Sequence, residues 1–183
     1  MKEIAEIVYN ILFAGFGGQG VQFAAKVTAY AGMEGNFEVS LLPSYGPEMR
    51  GGTSNCAVRI LNMPIASPIV YRPNILLALN EPSYDKFAPV SVPDAAVFYD
   101  SSLFDPSTKR DDIKLYPIPA TKLAKENELP GLANIIALGY MVKKTSFLPF
   151  ETIKAGLTKA VPATKAEMLE KNLKALEIGY NLD

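Results

Sequence analysis

The sequence predicts an α/β protein: three layers, α/β/α, around a mostly parallel sheet, with a helical C-terminal third. Three observations predict it. Short, strand-length apolar runs alternate with helical or turn-rich segments as far as residue 118. The first of these runs opens directly into a glycine-rich loop and then a helical pattern. Beyond residue 118 the patterning is helical, with no further strand run. The chain has 183 residues, and at roughly 150 residues per domain it is read as a single domain, 1–183.

Each element has its own signal. Ile7 to Ala14 is apolar except for Asn10, which suits a strand buried on both faces. Gly15 to Gly20 (GFGGQG) interrupts it. From Val21 to Met33, Val21, Ala24, Ala25, Thr28 and Ala31 recur at helical spacing, with Gly32 and Gly35 as stop signals. Phe37 to Leu42 reads as a second strand, completing a β-α-β unit. Pro43 to Gly52 is turn-rich, and Thr53 to Leu61 is a strand of β-branched and apolar residues. Ile75 to Leu79, Ala95 to Tyr99 and Ile113 to Ile118 are further strands. Asn80-Glu81-Pro82 and Tyr99-Asp100-Ser101 supply turn or cap chemistry. Helices are expected at 121–127, 134–143, 149–160 and 163–179. The last has a stripe of Leu169, Leu173, Leu176 and Tyr180, with Glu167–Lys171 and Glu170–Lys174 at i,i+4. Ile135 to Val142 is apolar around its whole circumference, so it must be covered on all sides. A central core helix and an intersubunit contact both satisfy that.

Composition narrows the chemistry. Hydrophobic residues are 49% and charged residues 20%, an ordinary globular balance, and the net charge is −1. No basic surplus points to nucleic acid, and no apolar run reaches the roughly 20 residues of a membrane span. Glu3 and Glu6 interrupt the N-terminal stretch where a signal peptide would be basic and then apolar. The chain contains no histidine, the commonest general base and metal ligand. Its single cysteine, Cys56, cannot hold a four-ligand iron–sulfur cluster or a Cys-rich zinc site, so no metal site is expected. Cys56 lies in a predicted strand without a charge partner and reads as a small core residue. One unpaired cysteine fits a cytoplasmic protein.

Two stretches carry candidate function. Gly15, Gly17 and Gly20 fit G-x-G-x-x-G, after a strand and before a helix. Such a loop, with the free N–H groups and positive dipole end of a helix, attracts an anion. Gly15, Gly17, Gly18, Gln19 and Gly20 are therefore candidate anion contacts. The glycines equally suit close packing of the first helix on the sheet. A dinucleotide site also wants an acid at the end of the second strand. Here that end is Leu41-Leu42-Pro43, which weighs against a free-standing NAD-dependent oxidoreductase or nucleotide-binding module. The second stretch is Ser44, Tyr45, Gly46, Pro47, Glu48, Met49, Arg50, Gly51 and Gly52. It leaves the second strand where α/β sheets place binding crevices. Arg50, one of four arginines, offers a planar guanidinium for a carboxylate or phosphate.

GFGGQG, then PSYGPEMRGGTSNC (Pro43 to Cys56), Ser67-Pro68 and Leu79-Asn80-Glu81-Pro82-Ser83, in that order, resemble the gamma subunit of 2-oxoacid:ferredoxin oxidoreductases. Asn134 with Leu138-Gly139, and Asn172 to Glu177, extend the resemblance along the chain. The resemblance implies the α/β/α fold of domain III of pyruvate:ferredoxin oxidoreductase, inside a multi-subunit enzyme. That enzyme oxidatively decarboxylates a 2-oxoacid to its acyl-CoA and reduces ferredoxin or another acceptor. It implies thiamine diphosphate and iron–sulfur clusters on thiamine-binding and ferredoxin-like sister subunits, coenzyme A as co-substrate, and no cofactor or catalytic residue on this chain. Gly51-Gly52-Thr53-Ser54-Asn55 resembles the 2-oxoglutarate and branched-chain versions more than the pyruvate version, so 2-oxoglutarate is the expected substrate. Ser44 to Gly52 is the expected interface or active-site loop. The chain alone is expected to be inactive.

Overall fold

A computed structural model describes residues 7–45 and 53–183. Among them, six strands form one sheet in the order β2-β3-β1-β4-β5-β6. The strands are β1 (Val8–Phe16), β2 (Glu38–Tyr45), β3 (Thr53–Leu61), β4 (Ile75–Ala78), β5 (Ala96–Asp100) and β6 (Lys114–Ile118). The helices are α1 (Val21–Glu34), α2 (Glu81–Phe87), α3 (Ala120–Glu126), α4 (Ala133–Thr145), α5 (Phe150–Ala160) and α6 (Ala166–Tyr180). β1, β4, β5 and β6 run parallel. β3 is antiparallel to both β1 and β2, so it alone runs against the rest.

The predicted β-α-β unit is present, but its two strands are not neighbours. β3 folds back on β2 and inserts between β2 and β1, pairing Cys56 with Phe13 on one side and with Pro43 on the other. β2 thereby becomes the edge strand. It also runs further than the pattern predicts, through Pro43 to Tyr45. Proline is tolerated there because an edge strand need not donate every N–H.

The structure adds a helix where a turn is read from sequence. Asn80 Oδ1 accepts the N–H of Ser83 at 2.9 Å, Glu81 lies in the first turn, and Pro82 sits where its missing N–H costs nothing. Seven residues make too few turns to declare a period, so α2 was legible only through its cap.

The two faces of the sheet are covered unequally. The larger core joins the odd-numbered side chains of β1, Ile11 and Phe13, to α1, α3, α4, α5 and α6. The smaller one joins Leu12 and Ala14 to Leu76, Val97, and Tyr84 and Ala88 from α2 and its end. α4 lies inside the larger core, buried from Asn134 through Val142, so its all-round apolarity is met within the chain. It crosses α6 at backbone contact. A Cβ on Gly139 would meet the Leu176 carbonyl oxygen, and one on Gly179 would meet that of Ile136. In α6 the Glu167–Lys171 pair closes at 2.6 Å on the exposed side.

Candidate functional site

β1 and β4 are parallel neighbours whose following helices leave to opposite faces, α1 onto the larger core and α2 onto the smaller. Such a point leaves a crevice beyond the carboxyl ends of the strands. The Gly17–Gly20 loop spans that crevice.

Gly18 (φ 99°) and Gly20 (φ 76°) adopt left-handed conformations that suit glycine. Gln19 turns inward between them. Its Oε1 accepts the Phe16 N–H at 2.7 Å and the Asn80 Nδ2–H at 2.9 Å. Its Nε2 donates to the Leu79 carbonyl at 2.8 Å. Its main-chain N–H donates to Phe16 O at 3.1 Å. Gly15, in the last turn of strand before the loop, makes the space for this carboxamide: a Cβ there would lie 2.8 Å from Gln19 Oε1. On the other side, Asn134 Nδ2 donates to the Gly20 carbonyl at 2.9 Å, and a Cβ on Gly20 would strike Asn134. A Cβ on Gly18 would meet nothing within 4 Å.

Two clefts flank the loop. One, of ≈ 390 Å³, runs from Gly18 and Gln19 past Leu79 and Asp100 to α3 and to Gly131 before α4. Its walls are mainly apolar, and it is the size of a small-molecule site. Asp100 is buried there and structural: Oδ2 accepts the Thr121 N–H at 3.0 Å and its hydroxyl, and Oδ1 accepts the Ser102 N–H at 3.0 Å. The second cleft, ≈ 340 Å³, lies against the start of α1, between Gly17, Gly18 and Gly20 to Phe23 on one side and the strand ends Tyr45, Thr53 and Ser54 on the other. No side chain caps α1, and its first turn contains no acidic residue. Its first-turn N–H groups and dipole therefore point into this second cleft.

Gly46, Pro47, Glu48, Met49, Arg50, Gly51 and Gly52 lie outside the described residues. The residues on either side of them, Tyr45 and Thr53, line the second cleft. Ser44 and Tyr45 are exposed at the end of β2. The glycine loop and the end of β2 are not on adjacent strands, as the β-α-β pattern suggests, because β3 lies between. For the same reason, the end of β2 stands two strand spacings, about 10 Å, from β1, where a dinucleotide fold places it one spacing, about 5 Å, away.

Among the described residues, no group of three or more His, Cys, Asp or Glu is placed to hold a metal ion. Cys56 is fully buried, and that burial pushes its thiol up to about 12, far from the reactive thiolate range. No helix among the described residues is long and apolar enough to cross a membrane. What sequence reading missed are the long-range amide contacts, Gln19 to Leu79 and Asn80, and Asn134 to Gly20. Only the cap-forming character of Asn80 hinted at the first.

The family model described as pyruvate ferredoxin/flavodoxin oxidoreductase matches residues 10–182. The 2-oxoglutarate synthase subunit KorC of Methanocaldococcus jannaschii is 35% identical over 176 residues, 94% of this chain and 92% of that one. The ketoisovalerate oxidoreductase subunit VorA of Methanothermobacter marburgensis is 36% identical over 171 residues. This chain spans 35% of that relative's length. Among solved structures, the gamma subunit of the keto/oxoacid ferredoxin oxidoreductase of Geobacter sulfurreducens superposes with TM-score 0.80 at 28% identity, over 94% of both chains. The 2-oxoglutarate:ferredoxin oxidoreductase of Magnetococcus marinus, at 23% identity and TM-score 0.79, shares the fold over 31% of its chain.

Proposed function

The chain belongs to the pyruvate ferredoxin/flavodoxin oxidoreductase family, and we propose that it is the gamma subunit of a cytoplasmic 2-oxoacid:ferredoxin oxidoreductase whose substrate is 2-oxoglutarate. The observation that carries this reading is the near full-length match to a 2-oxoglutarate synthase subunit, 92% of that protein's length. The residues of the chain agree with a non-catalytic role. Iron–sulfur clusters need thiolates, and the one cysteine is buried in a strand. In this reading the clusters and thiamine diphosphate belong to sister subunits, as the family resemblance implies. In the assembled enzyme thiamine diphosphate supplies the decarboxylation chemistry, and this chain, as one domain, supplies a surface and a binding cleft.

Within that reading, Ser44 to Gly52 is the loop that meets a sister subunit or the shared active site. The Gly17–Gly20 loop and Arg50 take an anionic group, for which the phosphates of coenzyme A are the natural candidate. An uncapped helix start opening into a cleft supports this. The test is to co-purify the chain from its native host, identify the bound subunits, and assay the complex with pyruvate, 2-oxoisovalerate and 2-oxoglutarate. Coenzyme A-dependent ferredoxin reduction with 2-oxoglutarate preferred, and none by the chain alone, is the expected result. A preference for 2-oxoisovalerate would keep the subunit role and replace the substrate. Turnover by the isolated chain would overturn both.

A further inference from the structure

We propose that Gln19 is a positioning residue: through its side chain it fixes the glycine loop in the shape that aims the start of α1 into the second cleft, and it does not itself contact the bound anion. This rests on the reading of that cleft as the anion site.

The Gln19 side chain, which borders the first cleft, is tied into the protein. Both ends of its carboxamide are engaged, by Phe16 N–H, Asn80 Nδ2–H and the Leu79 carbonyl. Phe16 ends β1, whereas Leu79 and Asn80 follow β4. Gln19 therefore ties together the two chain segments that diverge to opposite faces of the sheet. The loop between them turns through two glycines at positive φ, which glycine reaches without strain, so contacts such as those of Gln19 select its shape. Asn80 extends the tie, because its Oδ1 caps α2 at Ser83 while its Nδ2 holds Gln19. The chemistry of the side chain matters as much as its reach. Gln19 must accept two N–H groups and donate one to a carbonyl, which a neutral amide does and an ionised carboxylate does not. A carboxylate would face the Leu79 carbonyl oxygen and add negative charge beside the start of α1, where it would oppose an anion. Gly15 leaves room for this amide, for Val21 and for Leu79.

The experiment uses the assembled complex with coenzyme A as the titrated probe. Gln19→Met keeps most of the bulk and removes all three hydrogen bonds. The expected result is a KM for coenzyme A raised about tenfold, the factor associated with losing one or two net hydrogen bonds, with kcat nearly unchanged. Gln19→Glu should raise KM further. Gly18→Val is the control for the site itself, since it distorts the loop without touching the carboxamide. A raised KM in Gly18→Val with a wild-type KM in Gln19→Met overturns the positioning role and leaves the site. Wild-type KM in both overturns the anion reading as well. A lower melting temperature in Gln19→Met with unchanged KM makes Gln19 a purely structural residue, which also overturns the proposal.

Discussion

Glycines serve opposite ends in two regions of this protein. At the α4–α6 crossing, Gly139 and Gly179 have nothing to do with backbone conformation. They are helical, and they are glycine because each backbone lies on a carbonyl of the other helix. In the Gly17–Gly20 loop, Gly18 touches nothing, and its requirement is the left-handed turn. The first pair stores stability in close packing. The second frees main-chain groups at the mouth of a cleft. The same residue type thus marks a close helix crossing and an exposed turn.

If that contrast is right, the largest effect belongs to the helix crossing. Gly179→Val would drive a branched side chain into the Ile136 carbonyl, and denaturant unfolding of the chain should show a loss of about 3–5 kcal/mol or no folded protein. A loss below about 1 kcal/mol would mean that the helices separate easily and the contrast fails. Next in size is Ile135→Ala, on the buried face of α4, which should cost about 2–5 kcal/mol in the same measurement.

Gly18→Val comes third. Its cost should be about 1–2 kcal/mol, from left-handed strain alone, since no atom stands in the way. Its functional effect, read as KM for coenzyme A in the complex, should exceed what that loss of stability explains.

A pH experiment probes the buried sheet without touching either glycine region. The folded state holds the Cys56 thiol neutral up to about 12, against an ordinary value of 9.0. Burial and the Asp105 carboxylate likewise hold Tyr99 up to about 12, against 10.0. Raised folded values contribute stability that is complete below the ordinary values and is lost as pH rises through about 12. Urea midpoints should therefore be flat from pH 7 to 8 and fall above pH 9. Cys56→Ala should make that fall shallower, and an unchanged slope would assign it to the tyrosines. The smallest effect on folding is expected from Glu48→Ala and Arg50→Ala: within about 0.5 kcal/mol for the isolated chain, with weaker assembly or turnover of the complex.

Most of the architecture was legible because burial patterns report directly on it. The limits of β3 are those read from the sequence, and β1 and α1 differ by no more than two residues at either end. The helical C-terminal third followed from periodicity alone. α2 was not legible as a helix, because its evidence is a single capping asparagine. The candidate site was half legible. GFGGQG announced a loop between a strand and a helix, but not what fills it.

What the sequence by itself determined is the α/β class, the elements on either side of the glycine loop, the lack of histidine with a single cysteine, and the family. These rest on local patterns and on residue inventory, which need no knowledge of distant contacts. Only the tertiary structure decided that β3 enters between β1 and β2, and that α4 is covered by its own chain. It also decided that the glycine loop is held by two amides, Gln19 reaching Leu79 and Asn80, and Asn134 reaching Gly20. Strand order and amide pairing join residues up to 114 positions apart. Their energy comes from hydrogen bonds and packing that exist only once the layers have closed, so no local period or propensity records them.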